Sequence, residues 1–222
     1  MQKIHLAIIP DGNRRWAKER NLLPWKGHEK AIDVLQMIEE WCKKNARIGT
    51  LTLWLFSTEN WKRDAKEIDM LMIMLEKTLK NQKESFMKEG VRFVHSGRKD
   101  RIPSSLRNAI EELEQETAKN NHFTLHLALD YGGKDELLRA MNKIRSNEIT
   151  EATLMSGFDH PELPPIDLII RTSGEKRTSN FFLWQSAYSE WIFLDSFFPD
   201  VTEQDLENAL AEFDRRKRRF GS

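Results

Sequence analysis

The chain has 222 residues, a length suited to one generous α/β domain, and its 35 Lys and Arg balance 35 Asp and Glu. That neutrality argues against a protein built to coat nucleic acid, and no nucleic-acid partner is expected. The lone cysteine, Cys42, excludes an internal disulfide and suits a reducing compartment, so a cytoplasmic location is expected. The opening MQKIHLAIIPDGNRRW carries no small-residue cleavage site, and no apolar run approaches the roughly 20 residues that span a bilayer. Any membrane contact is therefore expected to be peripheral.

Taken in chain order, strand-like runs at 4–9, 50–56, 91–95, 123–129 and 166–171 alternate with helical patterns at 29–45, 65–88, 104–120 and 134–146. A sixth strand is expected within 181–194, and a last helix, capped by Thr202, runs to about 219. Segment 157–165, with Pro161, Pro164 and Pro165, reads as a loop. The alternation implies a single α/β domain over 1–222, with a mostly parallel central sheet of about six strands flanked by helices.

Polar clusters follow each strand: PDGNRRW, STENWKR, HSGR, DYGG and RTSGEKRTSN. In an open parallel sheet the carboxyl ends of the strands share one edge, where ligands bind, so all five clusters are expected to converge there. The set offers Arg14, Arg15, Arg63, Arg171 and Arg177, with Ser57, Ser173, Ser179, Asn13, Asn60, His28 and the carboxylates Asp11 and Glu190. Guanidinium forks match phosphate oxygens, and one or two carboxylates beside phosphates suit magnesium, which keeps substrate and water oxygens as its other ligands. A phosphate or diphosphate ligand with Mg2+ follows.

Common phosphate motifs are missing: no GxxxxGK[ST] loop and no GxGxxG after the first strand. An aspartyl-phosphate phosphatase remains a rival, because Asp11 follows the first strand, but Asn13 stands where such enzymes usually carry a second Asp. Helix 65–88 places Ile68, Leu71, Met72, Leu75 and Leu79 at helical spacing, with Met70, Ile73 and Met74 widening the stripe. That pattern describes a core helix, or one whose flexible methionines line an apolar ligand tunnel.

The ordered blocks AIIPDGNRRWAK, GH, LFSTENWKR, DYGG, DLIIRTSGEKRTSNFFLWQSAYSEW and RFG resemble the cis-prenyltransferase (undecaprenyl diphosphate synthase-like) family over nearly the whole chain. The DDxxD motif of the all-α trans-prenyltransferases is absent. The resemblance implies condensation of isopentenyl diphosphate with an allylic diphosphate, geranyl or farnesyl diphosphate, to a Z-polyprenyl diphosphate. It implies Asp11 as the essential magnesium-linked aspartate and Glu190 as the second metal carboxylate. Gly12, Asn13, Arg14 and Arg15, with Trp16 and His28 nearby, would cradle the allylic diphosphate. Ser57, Thr58, Glu59, Asn60, Trp61 and Arg63 would form the loop over the reacting ends, with Asn60 as a positioning amide, since a neutral amide is a poor base. Arg171, Arg177 and Ser179 would hold isopentenyl diphosphate. Arg219 and Gly221 would form an RxG motif reaching the partner's site in a homodimer.

Four departures stand out against the family pattern: Pro24 for an arginine, Lys176 for a histidine, Asp130 for the Asn of NYGG, and Leu55 where long-chain members often have Ala. Leu55 would narrow the tunnel and implies a short or medium product. Two alternatives share the resemblance, an accessory subunit of a two-chain enzyme and a relative that joins prenyl units irregularly or cyclises them. The retained DGN and STENW blocks lean against both.

Overall fold

The computed structural model describes residues 3–144 and 148–216. The first strand, β1 (Ile4–Ile9), leads into α1 (Asn13–Glu19) and α2 (Pro24–Lys44). Strand β2 (Ile48–Ser57) precedes α3 (Ala65–Glu89), β3 (Val91–Ser96), α4 (Ser104–Thr117), β4 (Phe123–Tyr131) and α5 (Gly133–Lys143). After α6 (Glu151–Met155) come β5 (Leu168–Arg171), β6 (Glu190–Phe193) and α7 (Glu203–Arg215).

The six strands form one sheet in the order β3-β4-β2-β1-β5-β6, and every pairing is parallel. Parallel pairing requires a crossover between neighbours, which the helices supply. The chain leaves β1 toward β2 and leaves β5 toward β6, in opposite directions. The carboxyl ends of β1 and β5 therefore flank the topological switch point, where sheets of this kind open a ligand crevice.

Alternation along β1 assigns the faces. Ile4, Leu6 and Ile8 join one core with Val34, Ile38, Leu71, Phe86, Ile110 and Leu210, whereas Ala7 and Ile9 join a second with Trp54, Tyr131, Phe181 and Phe182. Helix α3 carries one buried stripe, Ile68, Leu71, Met72, Leu75 and Leu79, while Met70 and Ile73 are 37% and 60% exposed. The core reading of that helix holds for the stripe. Its N-terminus is capped by Asp64, whose side chain accepts from the Lys66 and Glu67 N–H groups. Its C-terminus stops at Gly90 in the left-handed region.

Several expected boundaries shift. Helix α2 starts at Pro24, a residue preorganised for a first helical position, and not at 29. Helix α1 and the short α6, with its Thr150–Thr153 capping box, were not anticipated, because neither carries an apolar period. The last helix ends at Arg215, and residues beyond 216 lie outside the described segments.

A buried polar chain crosses the second face. The His5 Nδ1–H donates to the Pro164 carbonyl (2.8 Å), which leaves Nε2 to accept from the Thr52 hydroxyl (2.6 Å). Thr52 Oγ1 then accepts from His126 Nδ1–H (2.9 Å), and His126 Nε2 accepts from the Ser96 hydroxyl (2.7 Å). One carbonyl thus sets the tautomers of both imidazoles and keeps both neutral. Burial pushes the His5 pKa down to about 4, that of His95 to about 3, and that of His126 well below its ordinary value.

A histidine held neutral in the folded protein but protonated in the unfolded chain removes stability as pH falls below about 6.5. Burial raises the pKa of Glu39 and Glu136, which offsets part of that loss. The direct measurement is an NMR titration of the imidazoles. The His5, His95 and His126 rings should stay neutral from pH 7.5 to about 5; a midpoint near 6.5 for any of them would contradict the buried chain.

Candidate active site

Asp11 stands two residues beyond the end of β1, and Arg171 closes β5, paired in register with Ile9. Arg171 is 3% exposed, and its Nη2 donates to Asp11 Oδ2 at 2.8 Å. Its Nη1 donates to the Ser179 hydroxyl (2.8 Å) and to the Arg177 carbonyl (2.5 Å). The neighbouring Thr172 hydroxyl accepts from the Asp11 N–H (2.9 Å) and donates to the Asp11 carbonyl (2.7 Å). Three contacts therefore hold the two strand ends together. Asp11 Oδ1 also accepts from the Gly12 N–H (2.7 Å) and from Arg15 (3.4 Å).

Gly12 adopts φ +99°, and a Cβ there would lie 2.6 Å from Phe197 and 2.9 Å from Ser173, so only glycine fits. At Gly27 a Cβ would lie 2.0 Å from the Asn13 carbonyl oxygen, which explains how closely α2 approaches the start of α1.

Around this junction opens a cavity of about 1000 Å³. Its polar end is lined by Asp11, Gly12, Asn13, Arg14, Arg15, His28, Ser57, Glu59, Asn60, Arg63, Arg171 and Ser179. Its apolar wall comes from Leu22, Ala31, Ile32 and Leu35, from Trp54, Leu55 and Phe56, and from Leu71 and Leu75 of α3. No methionine lines this wall; Met72 instead packs in the core at 2% exposure. Leu55 and Ser57 both face the cavity, as their spacing predicts, although the β2–β4 register slips around Phe56.

Twelve of the expected site residues are thus brought to one cavity, and the other described ones lie outside its lining. Trp16 lies outside the lining, donating to Asp200 Oδ1 (2.7 Å) under a stacked Arg20. Arg177, 59% exposed, pairs with Glu175. Glu190 heads β6 opposite Leu168, three residues before the level of Arg171, and accepts from Arg216 at 2.8 Å. At about 3.3 Å per residue that is roughly 10 Å back along the sheet, so Glu190 and Asp11 do not form one carboxylate pair within the chain. Among the described residues no group of three or more His, Cys, Asp or Glu could hold a metal. Magnesium needs only one or two protein carboxylates when phosphates supply the rest, and Asp11 on the cavity fits that donor set. Arg219 and Gly221 lie outside the described residues.

The expectation that all five clusters converge is corrected. The HSGR loop borders a separate cleft with Arg139, Asp159 and His160, and DYGG lies behind the site. Asp130, fully buried at φ +51°, accepts from the Trp61 indole N–H (2.9 Å) and from Arg101 Nε (2.8 Å). Arg101 also lies over the Trp61 ring at 5.7 Å, and the ring meets Phe56 edge-on. Thr58 donates its N–H to the Tyr131 carbonyl (3.3 Å). These loops position the Ser57–Arg63 segment from behind; they do not face the cavity.

Asn180 makes a second brace, accepting from the Lys134 N–H (2.8 Å) and donating to Glu59 (3.1 Å). Asn180, Thr172, Glu175 and Glu67 were not singled out from sequence. A hint for Asn180 was available, since Asn tolerates the positive φ, here +72°, that its turn demands.

A switch-point crevice ringed by guanidiniums and continued by an apolar channel defines an α/β enzyme handling a phosphorylated hydrocarbon. The comparisons with known proteins specify which. The family model described as "Putative undecaprenyl diphosphate synthase" matches residues 9–221. An isoprenyl transferase of Helicobacter pylori is 43% identical, covering 98% of this chain and 96% of that protein. A geranylgeranyl-diphosphate-specific tritrans,polycis-undecaprenyl-diphosphate synthase of Thermococcus kodakarensis is 41% identical over 98% of this chain and 86% of its own. Among solved structures, lavandulyl diphosphate synthase from Lavandula x intermedia, in complex with dimethylallyl diphosphate, superimposes with TM-score 0.93 at 34% identity, covering 98% of both chains. A probable undecaprenyl diphosphate synthase from Campylobacter jejuni gives 0.84 at 33% over both full chains. The chain belongs to the undecaprenyl diphosphate synthase family, the cis-prenyltransferases, and is a prenyl-transferring enzyme.

Replacing Asp130 by Asn keeps one acceptor but removes the charge facing Arg101. Charge-assisted bonds of this kind contribute about 2 kcal/mol, so the D130N melting temperature should fall by roughly 4–8 °C. An unchanged melting curve would show that the pair does not hold this loop.

Proposed function

We propose that the chain condenses isopentenyl diphosphate with an allylic diphosphate, geranyl or farnesyl diphosphate, to give a Z-polyprenyl diphosphate of short or medium length. The observation that supports this most is the single cavity that runs from four arginines, Arg14, Arg15, Arg63 and Arg171, to an apolar wall between α2 and α3. A diphosphate fits the first part and a growing hydrocarbon the second.

In this reading Gly12, Asn13, Arg14 and Arg15 hold the allylic diphosphate, and Arg171, Arg177 and Ser179 hold isopentenyl diphosphate. The isopentenyl double bond attacks the allylic C1, and the C1–O bond breaks with its electron pair leaving on diphosphate. A proton then leaves the isopentenyl C2, with the released diphosphate as acceptor. Guanidiniums around the leaving group stabilise the charge that develops there. Asn60 acts by position: its Oδ1 accepts from the Ser57 N–H (3.0 Å), which leaves the amide N–H2 to face a substrate oxygen. A magnesium ion held by Asp11 would supply further charge neutralisation at the diphosphate.

The same reading includes a cytoplasmic homodimer in which Arg219 and Gly221 reach the partner's isopentenyl site. Peripheral membrane contact is supported by Leu22, at the cavity's edge, and its neighbour Leu23, 44% and 55% exposed. A second reading, that the chain joins prenyl units irregularly or cyclises them, is set beside it; the chain superimposes at TM-score 0.93 on a lavandulyl diphosphate synthase in complex with dimethylallyl diphosphate.

One assay separates these. Labelled isopentenyl diphosphate is offered with magnesium and dimethylallyl, geranyl or farnesyl diphosphate, and product mass and double-bond geometry are read. Z-products should form and should fall by about a hundredfold or more in Asp11→Ala, in line with losing one electrostatic stabiliser of the transition state. Leu55→Ala should lengthen them. Branched or cyclic products would favour the second reading, and no product from any starter would favour an accessory subunit.

A further inference from the structure

Behind the arginine-lined end of the cavity lies a carboxylate that does not line it. Glu67, in the first turn of α3, is 6% exposed, and three side chains that do line the cavity, two guanidiniums and an imidazole, converge on it. The Arg14 Nε lies 3.4 Å from Glu67 Oε2; His28 Nε2–H donates to Oε1 at 3.4 Å; and Arg63 Nη1 lies 3.9 Å from the same oxygen. These donors come from three separate elements: Arg14 from α1, His28 from α2 and Arg63 from the loop before α3. Capping does not require the Glu67 carboxylate, because Asp64 already caps α3. The carboxylate is turned instead toward the cluster.

We propose that Glu67 is a positioning residue for the allylic diphosphate, a buried anchor that aims Arg14, His28 and Arg63 at one diphosphate group. The inference rests on the functional reading above and adds to it a residue outside the cavity. Two guanidiniums crowded on one rim repel each other, and long side chains facing water turn outward unless they are held. Arg14, 55% exposed, has most freedom to do so. A carboxylate behind the rim gives each a fixed partner while leaving its other donors to the substrate.

Simple Coulomb attraction predicts the opposite sign: deleting a buried anion raises the local positive potential and should tighten the binding of a diphosphate. The proposal holds that orientation outweighs this, because a phosphate oxygen gains from a guanidinium only when the fork is aimed at it.

The test is calorimetric titration of the full-length wild type and Glu67→Gln with geranyl diphosphate and magnesium, isopentenyl diphosphate being omitted so that no turnover occurs. A parallel titration uses isopentenyl diphosphate alone. Glu67→Gln should weaken geranyl diphosphate about tenfold and leave isopentenyl diphosphate within about twofold. A double-mutant cycle gives the second readout. In an Arg14→Ala background, Glu67→Gln should cost distinctly less than it does alone, because the two act through one contact. Equal or tighter binding of geranyl diphosphate by Glu67→Gln would overturn the proposal. So would equal weakening of both ligands with a lowered melting temperature, which marks a general structural role. If the wild type itself binds no geranyl diphosphate, the functional reading fails, and this inference fails with it.

Discussion

The site depends on the ion pair between Asp11 and Arg171, which joins the ends of β1 and β5 where the chain turns away in opposite directions. Arg171 is almost wholly buried, and removing the partner of a buried charge costs on the order of 3 kcal/mol. Its Nη1 is committed to Ser179 and the Arg177 carbonyl, so the same guanidinium shapes the loop that follows β5. Asp11 in turn holds the Gly12 N–H and faces Arg15. Two buried atoms here, Arg171 Nε and Asn13 Oδ1, have no hydrogen-bond partner within the protein.

Around that junction the sheet supplies support of a second kind. The Ser57–Arg63 segment contributes Ser57, Glu59, Asn60 and Arg63 to the cavity, yet what fixes it lies behind: Asp130 on the Trp61 indole, Arg101 over the ring, and Asn180 on Glu59. The Asp130 that departs from the family's Asn acquires a meaning here. Its charge matches Arg101, and its effect on the substrate runs through a loop and not through contact. Glu67 plays the corresponding part on the α3 side, behind Arg14, His28 and Arg63.

The strands were legible because their apolar runs are bounded by polar turns, and β1 was read to its ends. Helix α1 was not, since NRRWAKE has no apolar stripe and is held by its packing against α2. The cavity residues of the first, second and fifth loops were legible because arginine, carboxylate and amide at strand ends have few structural uses. The third and fourth loops misled, because sequence does not give strand order. In the order β3-β4-β2-β1-β5-β6, β3 lies three strand spacings, about 14 Å, from β1, so its loop cannot share the switch point. Glu190, expected as a metal carboxylate, sits at the start of a short strand, whereas the cavity gathers at strand ends. Glu67 escaped notice because a glutamate in the first turn of a helix is ordinarily a dipole partner.

In the proposed function one cavity seats both halves of an allylic diphosphate, the charged head at the β1–β5 junction and the hydrocarbon between α2 and α3. A crystal structure of the protein with geranyl diphosphate and magnesium tests this directly. Diphosphate density should lie against Gly12–Arg15 and Arg63, beside Asp11, with the prenyl chain running along Leu35, Leu55, Leu71 and Leu75. Diphosphate bound in the Arg98–Arg139 cleft, or a prenyl chain directed away from α3 into solvent, would contradict it.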